Sequence, residues 1–414
     1  MAIDYSNPIV RNAVRYDEIG IEKECLRVTG SGTLAHTPHP FRESEKNIDR
    51  DFCENQIEFI SDVFTDSSEL ISQLEELHDK AYSVIEQNGE LLWSFSNPPF
   101  VSDEDDILIA SFSEGNKSKE IYRRYLANKY GKMKMLFSGI HYNFSFSEEL
   151  ITASQNDKNA LYLSLAVKLV KYGWLLVYLM SASPVLDDSY IRLTALNKTD
   201  KYRYASLRCS EAGYWNDFIP ILNYSSIAEY VESIQSYIDR GLLRSSSELY
   251  YPVRLKPSGK NSLEGLTNGI NHVELRTLDL NPFSRVGISK DDIDFIHLLI
   301  LYLSSLDDDE FSVNEQVISI KNIRIAALYD DCSNKIVQKG RRVPTRNAAE
   351  HVLKRIKSFA DKYFPEFSDS ATLQLKKLNG KRYARMVRNQ FSDDFIIKGL
   401  ELAKKNAKGA NVYV

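Results

Sequence analysis

Residues 20–28 read GIEKECLRV and residues 51–60 read DFCENQIEFI. In an extended strand successive side chains point to opposite faces, so the first run sets Glu22 and Glu24 on one face and Ile21, Lys23 and Cys25 on the other. The second run groups Glu54, Gln56 and Glu58 in the same way. Two later runs repeat the pattern. SGIHYNFSFS at 138–147 aligns His141, Asn143 and Ser145, and HVELRTLDLNPF at 272–283 aligns Glu274 with Arg276. Each of the four segments is expected to be a strand with one polar face.

A face lined with carboxylates cannot be a packed core, because an unpaired buried charge either costs on the order of several kcal/mol or is neutralised by a pKa shift. One such strand would be an ordinary solvated face of an antiparallel sheet. Four of them, sharing a single imidazole and a guanidinium, point to a bound cation. Hard oxygen donors with one histidine suit magnesium, or manganese, better than zinc. Magnesium held by carboxylates keeps positions open for water and substrate phosphates, which points to chemistry on a nucleotide. The same acids would also serve a two-metal phosphatase or nuclease, and the residues alone leave that alternative open.

The rest of the chain bounds the setting. Its 414 residues allow two or three domains or one large catalytic domain, and a hydrophobic share of 43% is ample for a core. A net charge of −5 lends no support to a nucleic-acid surface. The basic stretches KGRR at 339–342 and KKLNGKR at 376–382 are expected to be solvated helix and loop. The amino-terminal segment has no signal-peptide character, so a cytoplasmic location is expected, with no membrane partner. Cysteines 25, 53, 209 and 332 lack CxxC spacing, which argues against a disulfide framework or a zinc site. Cys25 and Cys53 read as small core fillers. The apolar run 160–182 approaches membrane-span length, but Lys168 and Lys171 interrupt it and Ser183 and Pro184 end it, so a buried helix is expected. Helical periodicity recurs at 67–88, 118–130, 226–239, 290–305, 346–363 and 393–407. Strands and helices do not alternate as βαβ units, which predicts an α+β fold with a largely antiparallel sheet. There is no Walker loop, GxGxxG or serine elbow, so if ATP binds it is held by metals and arginines.

Taken in order, GIEKECLRV, DFCENQIEFI, YRRYLANKYG at 122–131, SGIHYNFSF, SLRCSEAGY at 206–214 and HVELRTLDLNPF resemble the motifs of bacterial glutamate-cysteine ligases. The likeness is strongest to the ligase half of the bifunctional glutathione synthases. It runs from about residue 20 to about residue 300. The resemblance implies a glutamine-synthetase-like fold, in which a curved, mainly antiparallel sheet forms a funnel with helices outside. It implies one catalytic domain over residues 1–414, with a helical tail from about 340. The chain stops at Val414, so the ATP-grasp domain of the bifunctional enzymes is not expected. The implied reaction joins the γ-carboxylate of glutamate to the amine of L-cysteine through a γ-glutamyl phosphate, with ATP as co-substrate. By motif match the metal ligands would be Glu22, Glu24, Asp51, Glu58, His141 and Glu274. Arg276 and Arg123 would neutralise the transferred phosphoryl group, and Arg208, Tyr214 and Tyr250 would bind substrate. The acceptor pocket would form near Phe52, Tyr122, Leu126 and position 135.

One departure stands out. The segment before SGIHYN reads KMKMLF, placing Met135 where relatives usually carry glutamine and Phe137 where they carry a smaller aliphatic residue. A thioether in place of an amide removes a donor and an acceptor, which would relax or change specificity for the amine. A different amine acceptor is therefore the alternative to cysteine.

Overall fold

A computed structural model describes residues 2–329 and 333–409. Cys332 lies outside them; Cys25, Cys53 and Cys209 are buried free thiols. Seven strands build the main sheet: β1 (Glu18–Thr29), β2 (Ile48–Arg50), β3 (Gln56–Ile60), β4 (Glu90–Leu92), β5 (Gly139–Ser145), β6 (Val253–Lys256) and β7 (His272–Asp279). Their order is β2-β3-β1-β5-β7-β6, with β4 paired to the far end of β1, and every pairing is antiparallel.

Alternation along these strands sorts the two faces. Ile21, Ile57, Phe59, Ile140, Tyr142, Phe144, Val253, Leu255, Val273 and Leu275 all enter the main core. There they meet Leu70 and Leu74 of the helix Ser67–Ile85, Leu169 and Trp174 of Lys158–Met180, and Phe295 and Leu299 of Lys290–Ser304. The long apolar helix starts at an Asp157 cap that accepts from the Ala160 amide at 2.8 Å. It is long and apolar enough to cross a membrane, yet 83% of its apolar window is buried inside the protein, as expected of a core helix.

On the opposite face Leu26 and Val28 continue the line of Glu22 and Glu24 along β1, and they seed a second apolar cluster with Phe52, Leu126, Met135, Phe137 and Tyr250. The acids therefore occupy the stretch of that face which the second cluster leaves uncovered.

Register brings the polar residues of different strands together. Glu24 faces Glu58, Glu22 faces His141, Asn143 faces Glu274, and Arg254 faces Glu274 from the other side. Between β5 and β7 the register shifts: Ile140 pairs with Leu278 but Tyr142 pairs with Leu275. Two residues, Arg276 and Thr277, thus stand opposite His141. This is a β-bulge, a device that re-aims side chains and is frequent beside active sites.

Three expectations need correction. Glu54 is not in a strand: it lies in the turn before β3, where its carboxylate accepts from the amides of His39 at 2.7 Å and Ser111 at 2.8 Å, so it anchors loops. KGRR belongs to a hairpin of β8 (Lys335–Gln338) and β9 (Arg341–Pro344), whose turn residues Lys339 and Gly340 both have positive φ, the signature of a two-residue hairpin loop. Lys377 of KKLNGKR is buried and bonds Asp292 at 2.6 Å, because burial of that carboxylate demands a cation. The helix Val313–Ala326, which the periodicity did not reveal, begins at a Ser312–Glu315 capping box.

Candidate active site

The polar face concentrates opposite charges at its two ends. Toward β3, Glu24 and Glu58 stand near Asp51, and among the described residues neither forms an ion pair with a lysine or arginine, although Arg208 and Arg276 are close enough to Glu24 to offset part of its burial. Burial, reinforced by Asp51, pushes the Glu24 carboxyl up to about 8. Glu58 is likewise raised well above the usual range, by burial and then by Asp51, Glu22 and Glu24. Toward β6 the balance reverses. Glu274 is fully buried, but Arg276 and Lys256 each reach within 3.1 Å of its Oε1. Burial opposes ionisation there; Arg276, Lys256 and His141 outweigh it and hold Glu274 well below the carboxylate range.

His141 sits between the two halves. Its Nδ1 is 3.0 Å from Glu22 Oε2, and its pKa is lowered by burial and by Arg276, so the ring is neutral. The short contact to a carboxylate makes Nδ1 the donor, leaving the lone pair on Nε2. That Nε2 is buried without a hydrogen-bond partner, 3.7 Å from Glu24 Oε1. Neither oxygen of Glu274 has a partner in hydrogen-bond geometry. Ligand atoms of Glu22, Glu58 and His141 all lie within 4.8 Å of one another. Orphaned buried acceptors, a correctly tautomerised imidazole and clustered carboxyl groups fit a divalent cation with oxygen preference.

The other expected residues fall around this centre. Phe52, Leu126, Met135 and Tyr250 are buried in the second apolar cluster, with Tyr122 and Tyr214 packed against it. The rings of Tyr214 and Tyr250 are 4.1 Å apart. Arg208, Arg276, Tyr214 and Tyr250 line one small cavity of about 30 Å³. A far larger cavity, of about 750 Å³, lies behind the helix Lys158–Met180 and is lined by none of the expected residues. Arg123, expected to neutralise the phosphoryl group, is engaged by backbone carbonyls. Its Nε donates to the Asp51 carbonyl, Nη2 to the Arg50 carbonyl at 3.2 Å and Nη1 to the Lys119 carbonyl at 3.1 Å, while its guanidinium rests 4.6 Å from the Phe112 ring centre. In this arrangement it fixes the turn that presents Asp51.

Two site residues escaped the sequence reading. Lys256 and Arg254 alternate with Val253 and Leu255 in β6, so PVRLK is a fifth strand with a polar face, and the same period-two test applied there would have found them. Asn143, on the same face as His141, donates its Nδ2 to Glu22 Oε1 at 3.1 Å, and its Oδ1 is buried without a partner among the described residues.

Comparison with known proteins identifies the family and the fold. The glutamate-cysteine ligase family model matches residues 6–242 and 236–325. The bifunctional glutathione biosynthesis protein GshAB of Clostridium perfringens is 35% identical over 416 residues, covering 93% of this chain and 53% of that protein. The glutamate–cysteine ligase of Clostridium acetobutylicum is 31% identical over 428 residues, covering 87% of this chain and 88% of its own. The chain spans about half the length of the bifunctional relatives it matches. Its fold superimposes on the Francisella tularensis glutamate–cysteine ligase solved with AMP, at a TM-score of 0.85 and 24% identity, over 96% of this chain and 89% of that one. The architecture is the glutamine-synthetase-like, mixed helix and antiparallel-sheet fold of these ligases, and the chain belongs to the glutamate-cysteine ligase family.

Proposed function

We propose that this chain is an ATP-dependent glutamate-cysteine ligase that catalyses the first step of glutathione biosynthesis. The observation that carries the reading is the polar face itself: acids crowded at one end until burial and mutual repulsion raise their pKa, and at the other Arg276 and Lys256 around Glu274. Such a gradient suits a nucleotide triphosphate accompanied by divalent cations, because phosphoryl transfer asks the protein for positioning and charge neutralisation.

A γ-carboxylate oxygen of glutamate would attack the terminal phosphorus of ATP, forming a γ-glutamyl phosphate and releasing ADP. The acceptor amine would then attack the acyl carbon, expelling phosphate, forming the amide and giving up a proton to solvent. Glu22, Glu24, Asp51, Glu58, His141 and Glu274 would hold magnesium, or manganese, which screens the phosphate charges. Arg276, on the same face as Glu274, would neutralise the transferred group. Arg123 holds the Asp51 turn, while Arg208, Tyr214 and Tyr250 bind substrate. We read residues 1–414 as one catalytic domain, with a tail that is helical from Thr345 onward among the described residues. It would act in the cytoplasm on small molecules, with no nucleic-acid or membrane partner.

A second reading, ligation to another amine, is favoured by Met135, only 3% exposed in the apolar cluster with Phe52, Leu126 and Tyr250. An apolar wall there offers no amide to a polar acceptor. The two readings separate in a screen of amines with glutamate and ATP, scored by phosphate release and product mass. Activity with cysteine supports the first; inactivity with cysteine alongside turnover of another amine supports the second.

A further inference from the structure

The bulge opposite His141 reaches beyond Arg276. Strict alternation from Glu274 and Arg276 would put Leu278 among the acids. The extra residue instead sends Leu278 into the main core and turns Asp279 to the catalytic side, facing Gly139 across the β5–β7 ladder. Asp279 is 5% exposed, and its carboxylate accepts three hydrogen bonds: from the Ala182 amide at 2.9 Å and the Ser183 hydroxyl at 2.7 Å on Oδ2, and from the Ser206 hydroxyl at 2.9 Å on Oδ1. Ser206 Oγ in turn accepts from the Cys209 amide at 3.2 Å. The carboxylate thereby ties the segment after the helix Lys158–Met180 to the turn that carries Arg208.

Arg208 is held on its other sides by the sheet. Its Nη1 donates to the Arg276 carbonyl at 2.7 Å and lies 3.4 Å from the Leu278 carbonyl. A Cβ on Gly139 would stand 2.4 Å from the guanidinium carbon, so a side chain there would push the guanidinium from its place. With Nη1 committed to the backbone, Nε and Nη2, which donate to no backbone carbonyl or carboxylate among the described residues, present a forked donor pair, the geometry that matches a carboxylate.

We infer that Asp279 and Gly139 position Arg208: the aspartate fixes the turn from which the arginine springs, and the glycine opens the slot in which the guanidinium lies, so that its forked edge meets an amino-acid carboxylate. The inference rests on the proposed reading of Arg208 as a substrate-carboxylate binder. Asp279 itself touches no substrate and acts through Arg208.

The test compares Asp279→Asn, Ser206→Ala, Gly139→Ala, Arg208→Lys and the Asp279→Asn/Arg208→Lys pair in the full chain. KM would be measured separately for glutamate, amine and ATP, Mn²⁺ affinity by electron paramagnetic resonance, and Tm by calorimetry. Asp279→Asn and Gly139→Ala are each expected to raise KM for the same amino-acid substrate about tenfold, with Ser206→Ala milder, while ATP KM and Mn²⁺ affinity stay within about twofold. In the Arg208→Lys background the Asp279→Asn change should add little, because two residues acting through one contact are not additive. Equal rises in ATP KM and amino-acid KM, or additive effects in the pair, would reduce Asp279 to a loop anchor and overturn the inference. Should Arg208→Lys raise the amino-acid KM while folded Ser206→Ala and Gly139→Ala leave it unchanged, the inference falls and the role of Arg208 stands. An amino-acid KM unchanged by Arg208→Lys would sink both.

Discussion

Replacing Glu274 by glutamine keeps the side chain's size and removes its charge. The carboxylate is fully buried, with Lys256 Nζ and Arg276 Nη1 each 3.1 Å from Oε1. The substitution therefore strands two cations whose side chains are only 13% and 14% exposed. Breaking a fully buried ion pair from one side costs about 3–5 kcal/mol; partial access of water to both cations brings the stability loss to or just below the lower bound, ~2–3 kcal/mol. The catalytic loss has a different origin: a cation ligand disappears and Arg276 loses the neighbour that orients it. Removal of one electrostatic catalytic contact is worth ~2–4 kcal/mol, which is roughly a 30- to 1,000-fold fall in kcat/KM. The assay is coupled phosphate release with glutamate, cysteine, ATP and a magnesium titration, alongside a calorimetric melt and Mn²⁺ binding. Weakened Mn²⁺ binding with an intact but lowered melting transition is expected. Near-normal turnover at limiting magnesium in both Glu274→Gln and Glu22→Gln would refute the assignment of the cation site.

The raised carboxyls give a pH signature. In the metal-free protein Glu24 holds its proton up to about 8 against an ordinary value of 4.5, so the native state binds more protons than the unfolded chain across that window, and metal-free stability should fall as pH rises through it. Mn²⁺ binding at pH 7 should release protons and tighten with rising pH, which calorimetry in buffers of different ionisation enthalpy would detect. Arg276→Lys keeps the charge but loses the planar fork, so kcat should fall more than glutamate binding weakens, whereas Arg208→Lys should mainly raise an amino-acid KM; exchanged phenotypes would reverse the two roles. The kcat/KM ratio of 2-aminobutyrate to cysteine should be near one in the parent and drop in Met135→Gln, since an apolar pocket distinguishes side chains of similar size by only ~1–3 kcal/mol. An unchanged ratio would return Met135 to ordinary packing.

Much of this architecture was legible because strand alternation is a local rule. Glu22, Glu24, Glu58, His141, Glu274 and Arg276 could each be assigned a face from near neighbours, and the helices at 67–85, 158–180 and 290–304 announced themselves by apolar runs and periodicity. The failures have equally local causes. Glu54 was carried into β3 by its spacing, yet a turn closed by the Gln56 amide on the Cys53 carbonyl ends the alternation before it. The bulge leaves a trace in HVELRTLDL, where apolar positions 273 and 275 are followed by 278 and 280 with the phase flipped, but only the partner strand shows that Asp279 thereby faces Gly139. For Arg123 no sequence rule reveals that backbone carbonyls of the Asp51 turn engage it. Lys377 looked like solvated charge because its partner, Asp292, is 85 residues away.

The central claim is activation of a glutamate carboxylate by phosphorylation, and an isotope experiment tests it most directly. Glutamate carrying ¹⁸O in its γ-carboxylate is incubated with the protein, ATP, magnesium and cysteine, and the phosphate released is weighed by mass spectrometry. If a γ-carboxylate oxygen attacks the terminal phosphorus and the amine then expels phosphate, one ¹⁸O appears in each inorganic phosphate, and phosphate release needs glutamate, amine and magnesium together. Unlabelled phosphate, or release at the same rate without any amino acid, would contradict the account and return these acids to a two-metal hydrolase.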